Sequence, residues 1–275
     1  MAVPPLRALV ADGHDVRLVV TRADKRRGRG SALAPSPVKA AATELGVGVT
    51  DQVDDVIDSG AELGVVVAFG RLIKPHVLAA LPMVNVHFSL LPRWRGAAPL
   101  ERAILAGDTE TGVCLMQLEE GLDTGPVYAC IRIPIWPEET AGELRGHLVN
   151  AGTELLVNSL RTGLGTPTLQ EGEPTYAEKI DPAELEIDWQ RPAVELHRLI
   201  RLGDAWTTFR GKRLKVLHAQ LAANGLEPGA LEGVRVGAGD GALELVMVQP
   251  EGKAAMFALD WRNGAHPGPD ERLGD

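Results

Sequence analysis

The run Leu63-Gly-Val-Val-Val-Ala-Phe69 constrains this chain more than any other stretch. A strand with one wet face alternates apolar and polar residues, whereas a strand covered on both faces is apolar throughout. The run therefore predicts a strand inside a parallel sheet, and parallel neighbours require crossover connections, usually helical. The flanking sequence supplies them. Val38 to Leu45 reads as a helix ended by Gly46, Pro75 to Leu81 as a second helix, and Val84 to Phe88 as the next strand. Upstream, Pro4 to Ala11 reads as a helix with proline in its first turn, followed by a strand from Asp15 to Thr21. Downstream, Pro99 to Ala106 is helical and closed by Gly107, and Thr111 to Leu118 and Pro126 to Ile135 are strands. A long helix follows from Glu139 to Thr162, with Leu144, Leu148, Leu155 and Leu156 on or near one face. Strands alternating with helices predict an α/β domain over residues 1–162.

The composition then changes. Residues 163–183 carry several Gly, Pro, Thr and Glu residues and read as a linker. Residues 184–275 form a second domain: an amphipathic helix from Pro192 to Leu202, then short strands at Thr207 to Phe209, Arg213 to Ala219, Gly233 to Val236 and Ala242 to Val248. Short strands between glycine turns predict a small β-barrel.

Alternation along the strand from Val84 to Phe88 puts Asn85 and His87 on one side. A proline-held loop, Ser89-Leu-Leu-Pro92, follows directly, and a second loop, Glu119 to Gly125, offers Asp123 between glycines. Strand ends of this kind are where α/β proteins usually bind ligands. Amide, imidazole and carboxylate are the parts needed to stabilise an oxyanion and move a proton. Singly, each residue also reads as structural: a strand Asn satisfying the backbone, a buried His, a turn-forming Asp.

Several activities are excluded by motif. Gly28-Arg-Gly30 and Gly46-Val-Gly48 both lack the third glycine of a dinucleotide fingerprint, and no phosphate-binding P-loop is present. Ser89 lacks the glycines of a nucleophile elbow. The histidines outside the site have no metal-ligand spacing, so no metal is implied. Cys114 and Cys130 form no close metal-type pair and are expected to be two reduced thiols of a cytoplasmic protein. No apolar run approaches the roughly 20 residues of a membrane span. The N-terminus lacks a signal peptide's apolar stretch.

The net charge of −9 argues against non-specific nucleic-acid binding, but totals hide distribution. Arg22, Lys25, Arg26, Arg27, Arg29 and Lys39 stand against Asp24 alone, in a loop rich in Gly, Ser and Pro. Arg198, Arg201, Arg210, Lys212, Arg213 and Lys215 stand against Asp204 alone. On their own these islands read either as solvated surface or as contacts for a specific polyanion.

Asn85-Val-His87, Ser89-Leu-Leu-Pro92, Arg95-Gly-Ala-Ala-Pro99 and Gly121-Leu-Asp-Thr-Gly125 together resemble the formyltetrahydrofolate-dependent formyltransferases. Arg29-Gly30 with Pro35-Ser-Pro-Val-Lys39, Thr175-Tyr-Ala-Glu-Lys179 and Ile187-Asp-Trp189 narrow the resemblance to the methionyl-tRNA formyltransferases. The resemblance implies a Rossmann-like formyltransferase domain followed by an OB-like β-barrel that helps hold tRNA. It implies that formyl is transferred from 10-formyltetrahydrofolate to the α-amino group of methionyl initiator tRNA in translation initiation, without a metal or a protein partner. Carried over residue by residue, Asn85, His87 and Asp123 are catalytic, and Ser89, Leu90, Leu91 and Pro92 contact folate. Arg22, Lys25, Arg26, Arg27, Arg29 and Lys39 in the basic loop contact tRNA, as do Arg210, Lys212, Arg213 and Lys215. The family begins with an apolar strand ahead of the first helix. This chain begins inside that helix, which predicts a sheet short of its first strand, with a start codon assigned too late as the expected cause. The rival readings are an amino-sugar N-formyltransferase with the same catalytic set and a non-catalytic RNA-binding relative.

Overall fold

The computed structural model describes residues 1–26, 33–223 and 225–275, with Lys25, Arg26 and Leu33 described in their backbone only. In chain order the first elements are α1 (Val3–Ala11), β1 (Leu18–Val20), β2 (Lys25–Arg26), β3 (Leu33–Ala34), α2 (Pro37–Glu44), β4 (Gly48–Thr50), β5 (Gly64–Val67), α3 (Pro75–Ala80), β6 (Met83–His87), β7 (Arg95–Gly96) and α4 (Pro99–Ala106). Then follow β8 (Glu110–Gln117), β9 (Val127–Pro134), α5 (Ala141–Thr162), β10 (Tyr176–Ala177), α6 (Ala193–Ile200), β11 (Trp206–Phe209), β12 (Lys212–Ala222), β13 (Leu231–Glu232), β14 (Arg235–Gly237), β15 (Ala242–Pro250), β16 (Met256–Phe257) and α7 (Ala258–Ala265). The chain forms two compact units that interleave in sequence: Met1–Pro99, Glu110–Pro134 and Arg145–Ala177, and then Leu100–Thr109, Ile135–Leu144 and Glu178–Asp275.

In the first unit, proline opens α1, α2 and α3, where its missing N–H costs nothing. The Ser36 hydroxyl caps α2 by accepting from the Lys39 amide at 3.1 Å. β5 pairs with β6 in parallel, as the apolar run requires, and β8 and β9 continue the sheet antiparallel in the order β5-β6-β8-β9. β1 and β4 form a separate parallel pair. Between the two sheets lies a cavity of about 690 Å³ lined by Val19 and Val20 of β1, Val65 to Val67 of β5, and Leu6 and Leu9 of α1. The parallel sheet is thus interrupted at this place, and β5 is half-buried where the all-apolar run predicts full cover.

The face carrying Val86 and Val113 is covered by α5. A Cβ added at Gly152 would stand 3.1 Å from Val86 Cγ1 and 3.0 Å from Val113 Cγ1, so glycine sets this approach. Alternation then turns Asn85 and His87 to the opposite face.

One expectation is overturned here. Cys114 and Cys130 are not two reduced thiols but form a disulfide. Their sequence separation of 16 hides the pairing, whereas the β8–β9 register sets them directly opposite, with Cα atoms 4.1 Å apart.

In the second unit the expected small barrel takes the form of a six-stranded antiparallel sheet, β11-β12-β15-β14-β13 with β16 on β15. Bulges in β12 around His218 bend it. Leu214, Val216, Leu243, Leu245 and Val248 of the sheet pack with Leu196, Leu199 and Ile200 of α6 in one apolar core. Helix α7 is absent from the sequence reading because Asn263 and Gly264 are poor helix formers. Tertiary packing holds it: Trp261 meets Phe209 edge to face, with centroids 5.2 Å apart.

Candidate active site

β6 delivers Asn85 and His87, and the loop between β8 and β9 delivers Asp123. The three converge. Asp123 Oδ1 accepts from Asn85 Nδ2 at 3.4 Å, and Oδ2 lies 3.5 Å from His87 Nδ1. Oδ2 also accepts from the Gly96 amide at 2.8 Å. His87 and Asp123 are 6% and 9% exposed, so this carboxylate and imidazole interact with little screening by water.

The imidazole tautomer follows from geometry. His87 Nε2 lies 2.9 Å from the Trp94 carbonyl oxygen, which can only accept, so Nε2 carries a proton. Nδ1 is then the nitrogen that faces Asp123. Asn85 spends one amide hydrogen on Asp123, and the second remains for a ligand oxygen.

Backbone conformation builds the site as much as side chains do. Asp123 sits in the left-handed region at φ 51°, and Trp94 at φ 62°. Such non-glycine residues persist only where their surroundings over-determine them. Trp94 is held from behind: its amide donates to Thr175 Oγ1 at 2.9 Å, and the Arg95 amide donates to the Thr175 carbonyl at 2.8 Å. β10 then pairs in parallel with β7. Gly96, at φ 120°, is forced by this pairing, because a Cβ there would stand 2.8 Å from the Ala177 carbonyl oxygen. Gly125 is equally constrained, with a Cβ 2.0 Å from the Gln117 carbonyl oxygen.

The Ser89–Pro92 loop lies directly after His87. Ser89 is fully buried and donates its hydroxyl to the Arg93 carbonyl at 2.5 Å, so it fastens the loop from within. Leu90, Leu91 and Pro92 are half-buried. Leu90 packs where β8 has only Gly112, whose added Cβ would stand 2.5 Å from Leu90 Cδ2.

The basic islands are less uniform than their charge sums. In the first, Arg22 is exposed, but Lys39 Nζ donates to both Asp24 carboxylate oxygens at 2.9 Å. Arg27 and Arg29 lie outside the described residues, as do the side chains of Lys25 and Arg26. In the second, Arg201 is buried and donates to the Glu139 and Trp136 carbonyls. Arg210 pairs with Glu271, whose carboxyl it holds down to about 2. Lys215 pairs with Asp204 at 2.7 Å. Lys212 and Arg213 remain exposed, with the Arg213 guanidinium 3.9 Å from the centre of the Trp206 ring.

A formyl transferase family model matches residues 5–160, and a formyl transferase C-terminal domain model matches residues 179–266. Methionyl-tRNA formyltransferase of Symbiobacterium thermophilum is 44% identical over 286 aligned residues, covering 94% of this chain and 88% of that protein. The chain belongs to the methionyl-tRNA formyltransferase family. Its relative from Jannaschia sp. is also 44% identical and covers 98% of this chain and 95% of its own length. An N-formyltransferase from Helicobacter canadensis, solved in complex with folinic acid and dTDP-3-aminofucose, shares the fold with a TM-score of 0.66 at 19% identity, over 90% of this chain and 95% of that one. The two matched family regions leave residues 161–178 between them. Thr175 to Ala177, which hold Trp94 and Gly96 in place, fall inside that interval. In the sequence this stretch carries part of the family resemblance and otherwise has the composition of a linker. Trp94, Gly96 and Thr175 therefore build the site without a signal of their own in the sequence, apart from the glycine of Arg95-Gly-Ala-Ala.

Proposed function

We propose that this protein transfers the formyl group of 10-formyltetrahydrofolate to the α-amino group of methionyl initiator tRNA, in the cytoplasm where translation starts. The observation that carries the reading is the convergence of Asn85, His87 and Asp123 in a chain 44% identical to methionyl-tRNA formyltransferases across nearly its whole length. Catalysis falls to the compact unit that holds Asn85, His87 and Asp123, and support of the tRNA to the unit that holds residues 184–275, while Thr175 to Ala177 brace the catalytic residues.

The half-buried Leu90, Leu91 and Pro92 leave apolar surface in the loop directly after His87 and suit a flat folate ring, while buried Ser89 supports the loop from beneath. The folate supplies a formyl carbonyl, to which the methionyl amine adds to give a tetrahedral oxyanion. Collapse breaks the bond to the folate nitrogen, and the proton lost by the amine ends on that nitrogen. Asn85 donates its second amide hydrogen to the oxyanion. Asp123 takes the amine proton, directly or through a held water, and His87 Nδ1 shares it until the leaving nitrogen accepts it. The Nε2–H···O=C contact to Trp94 keeps the ring turned so that Nδ1 faces the carboxylate.

Arg22, Lys25, Arg26, Arg27, Arg29 and Lys39 meet the acceptor end of the tRNA. Arg210, Lys212, Arg213 and Lys215 form the second contact, led by the solvent-facing Lys212 and Arg213. Neutralising Lys25, Arg26 and Arg27 together is expected to raise the tRNA KM and flatten its salt dependence. The deciding assay offers 10-formyltetrahydrofolate with either methionyl-tRNA or a nucleotide-linked amino sugar. Formylation of the tRNA is expected. Formylation of the sugar alone, or of neither, overturns the reading.

A further inference from the structure

Gln170 lies outside both matched family regions, in the stretch that composition marks as linker. Its side chain is nonetheless fully engaged. Nε2 donates to the Asp123 carbonyl at 2.9 Å and to the Gly125 carbonyl at 2.8 Å. Oε1 accepts from Arg95 Nη2 at 2.7 Å and from Arg95 Nε at 3.1 Å. One amide therefore clamps two segments, the turn that carries Asp123 and the strand residue that precedes Gly96. The same two segments meet again on the catalytic side, where the Gly96 amide donates to Asp123 Oδ2. The result is a closed ring of hydrogen bonds with Gln170 at its back and the Asp123 carboxylate at its front.

Gln170 is itself anchored. Two residues earlier, Thr168 exchanges backbone hydrogen bonds with Val127 of β9, at 2.7 and 2.9 Å. The clamp is thus built on a strand and not on a free loop. It also explains how Asp123 is kept at φ 51°. That conformation directs the Asp123 carbonyl to Gln170 and leaves the carboxylate to face Asn85, His87 and Gly96.

We infer that Gln170 is a positioning residue for formyl transfer, holding the backbone of Asp123 so that its carboxylate meets His87 and Asn85. This rests on the catalytic role proposed above for Asp123. Glutamate has nearly the same shape as glutamine and can still accept from Arg95, but its carboxylate cannot donate to the two carbonyls. Gln170→Glu therefore tests the donor half of the clamp.

Gln170→Glu is expected to lower kcat by about 10-fold to 10²-fold, the scale of a small misplacement of a reacting group, with the KM values for folate and tRNA nearly unchanged. In an Asp123→Asn background the same substitution should add little, because the two act as a unit. Independently of activity, amide exchange at Gly96 should accelerate in Gln170→Glu, while exchange at Val86 in β6 stays as in the wild type. A wild-type kcat in Gln170→Glu, or a loss that multiplies fully with Asp123→Asn, overturns the inference. So does unchanged exchange at Gly96, or equal acceleration at Val86, which would report general loosening. If the wild-type chain itself formylates nothing, the proposed function fails, and the exchange measurement still decides whether Gln170 holds the Asp123 turn.

Discussion

The Asn85–His87–Asp123 cluster and the Arg198–Lys215 island both stand out in the sequence, and the structure treats them in opposite ways. In the cluster, Asn85 and His87 are each brought within 3.5 Å of Asp123, which lies more than 30 positions away in the sequence. In the island, residues only a few positions apart are dispersed into separate tasks. Arg201 is buried on carbonyls, Arg210 answers Glu271, and Lys215 answers Asp204. Only Lys212 and Arg213 of the proposed tRNA contacts there remain exposed and outside an ion pair among the described residues. Residue type predicts chemistry well when backbone geometry limits where a side chain can go. A sum of charges predicts availability poorly, because any nearby carboxylate consumes a cation without leaving a pattern in the sequence.

The largest effects are expected at the cluster. Asn85→Ala should lower kcat by roughly 10²–10³, the cost of one oxyanion donor. Single-turnover rates at saturating substrates measure this, and near wild-type turnover would remove the role. Gly96→Ala should come next, with kcat down by about 10-fold to 10²-fold, because its Cβ pushes on the Ala177 carbonyl and shifts the amide that holds Asp123. A variant with full activity would mean that the β7–β10 pairing does not set the site.

At the island the expected effects are smaller and unequal. Arg213→Ala should raise the tRNA KM and reduce its salt slope by about 1, the loss of one phosphate contact. Lys215→Ala should change the slope less, since Asp204 already offsets that charge. Equal effects from the two would erase the distinction drawn between free and committed cations. The smallest effect concerns stability. Burial pushes His197 below its ordinary value of 6.5, outweighing the nearby Glu138. The unfolded chain then binds the proton more readily than the native one, so stability present above 6.5 is lost as pH falls below it. His197→Gln should flatten that decline, read as Tm against pH. A parallel decline in both proteins would assign the acid sensitivity elsewhere.

Much of the site was legible in the sequence for a specific reason. Asn85 and His87 are two apart on a strand, and a strand has only two faces. Asp123 is flanked by glycines in a short loop between two strands, which restricts where its carboxylate can reach. Trp94, Thr175 and Gln170 were not legible as site residues. Their contributions pass through backbone carbonyls and amides, which every residue possesses, and Thr175 and Gln170 act on partners more than 40 positions away. The Cys114–Cys130 bond was hidden for a similar reason, since register and not spacing made the two neighbours.

The sequence by itself determined the α/β character of the first unit, the short-stranded second unit and the chemical types in the site. Period and residue type carry those properties, and both are local. The tertiary structure decided which charges remain free, which His87 nitrogen faces Asp123, and that the stretch around Gln170 braces the site. Each of these depends on which distant carbonyl or carboxylate lies within hydrogen-bond reach, and only the folded chain sets that distance.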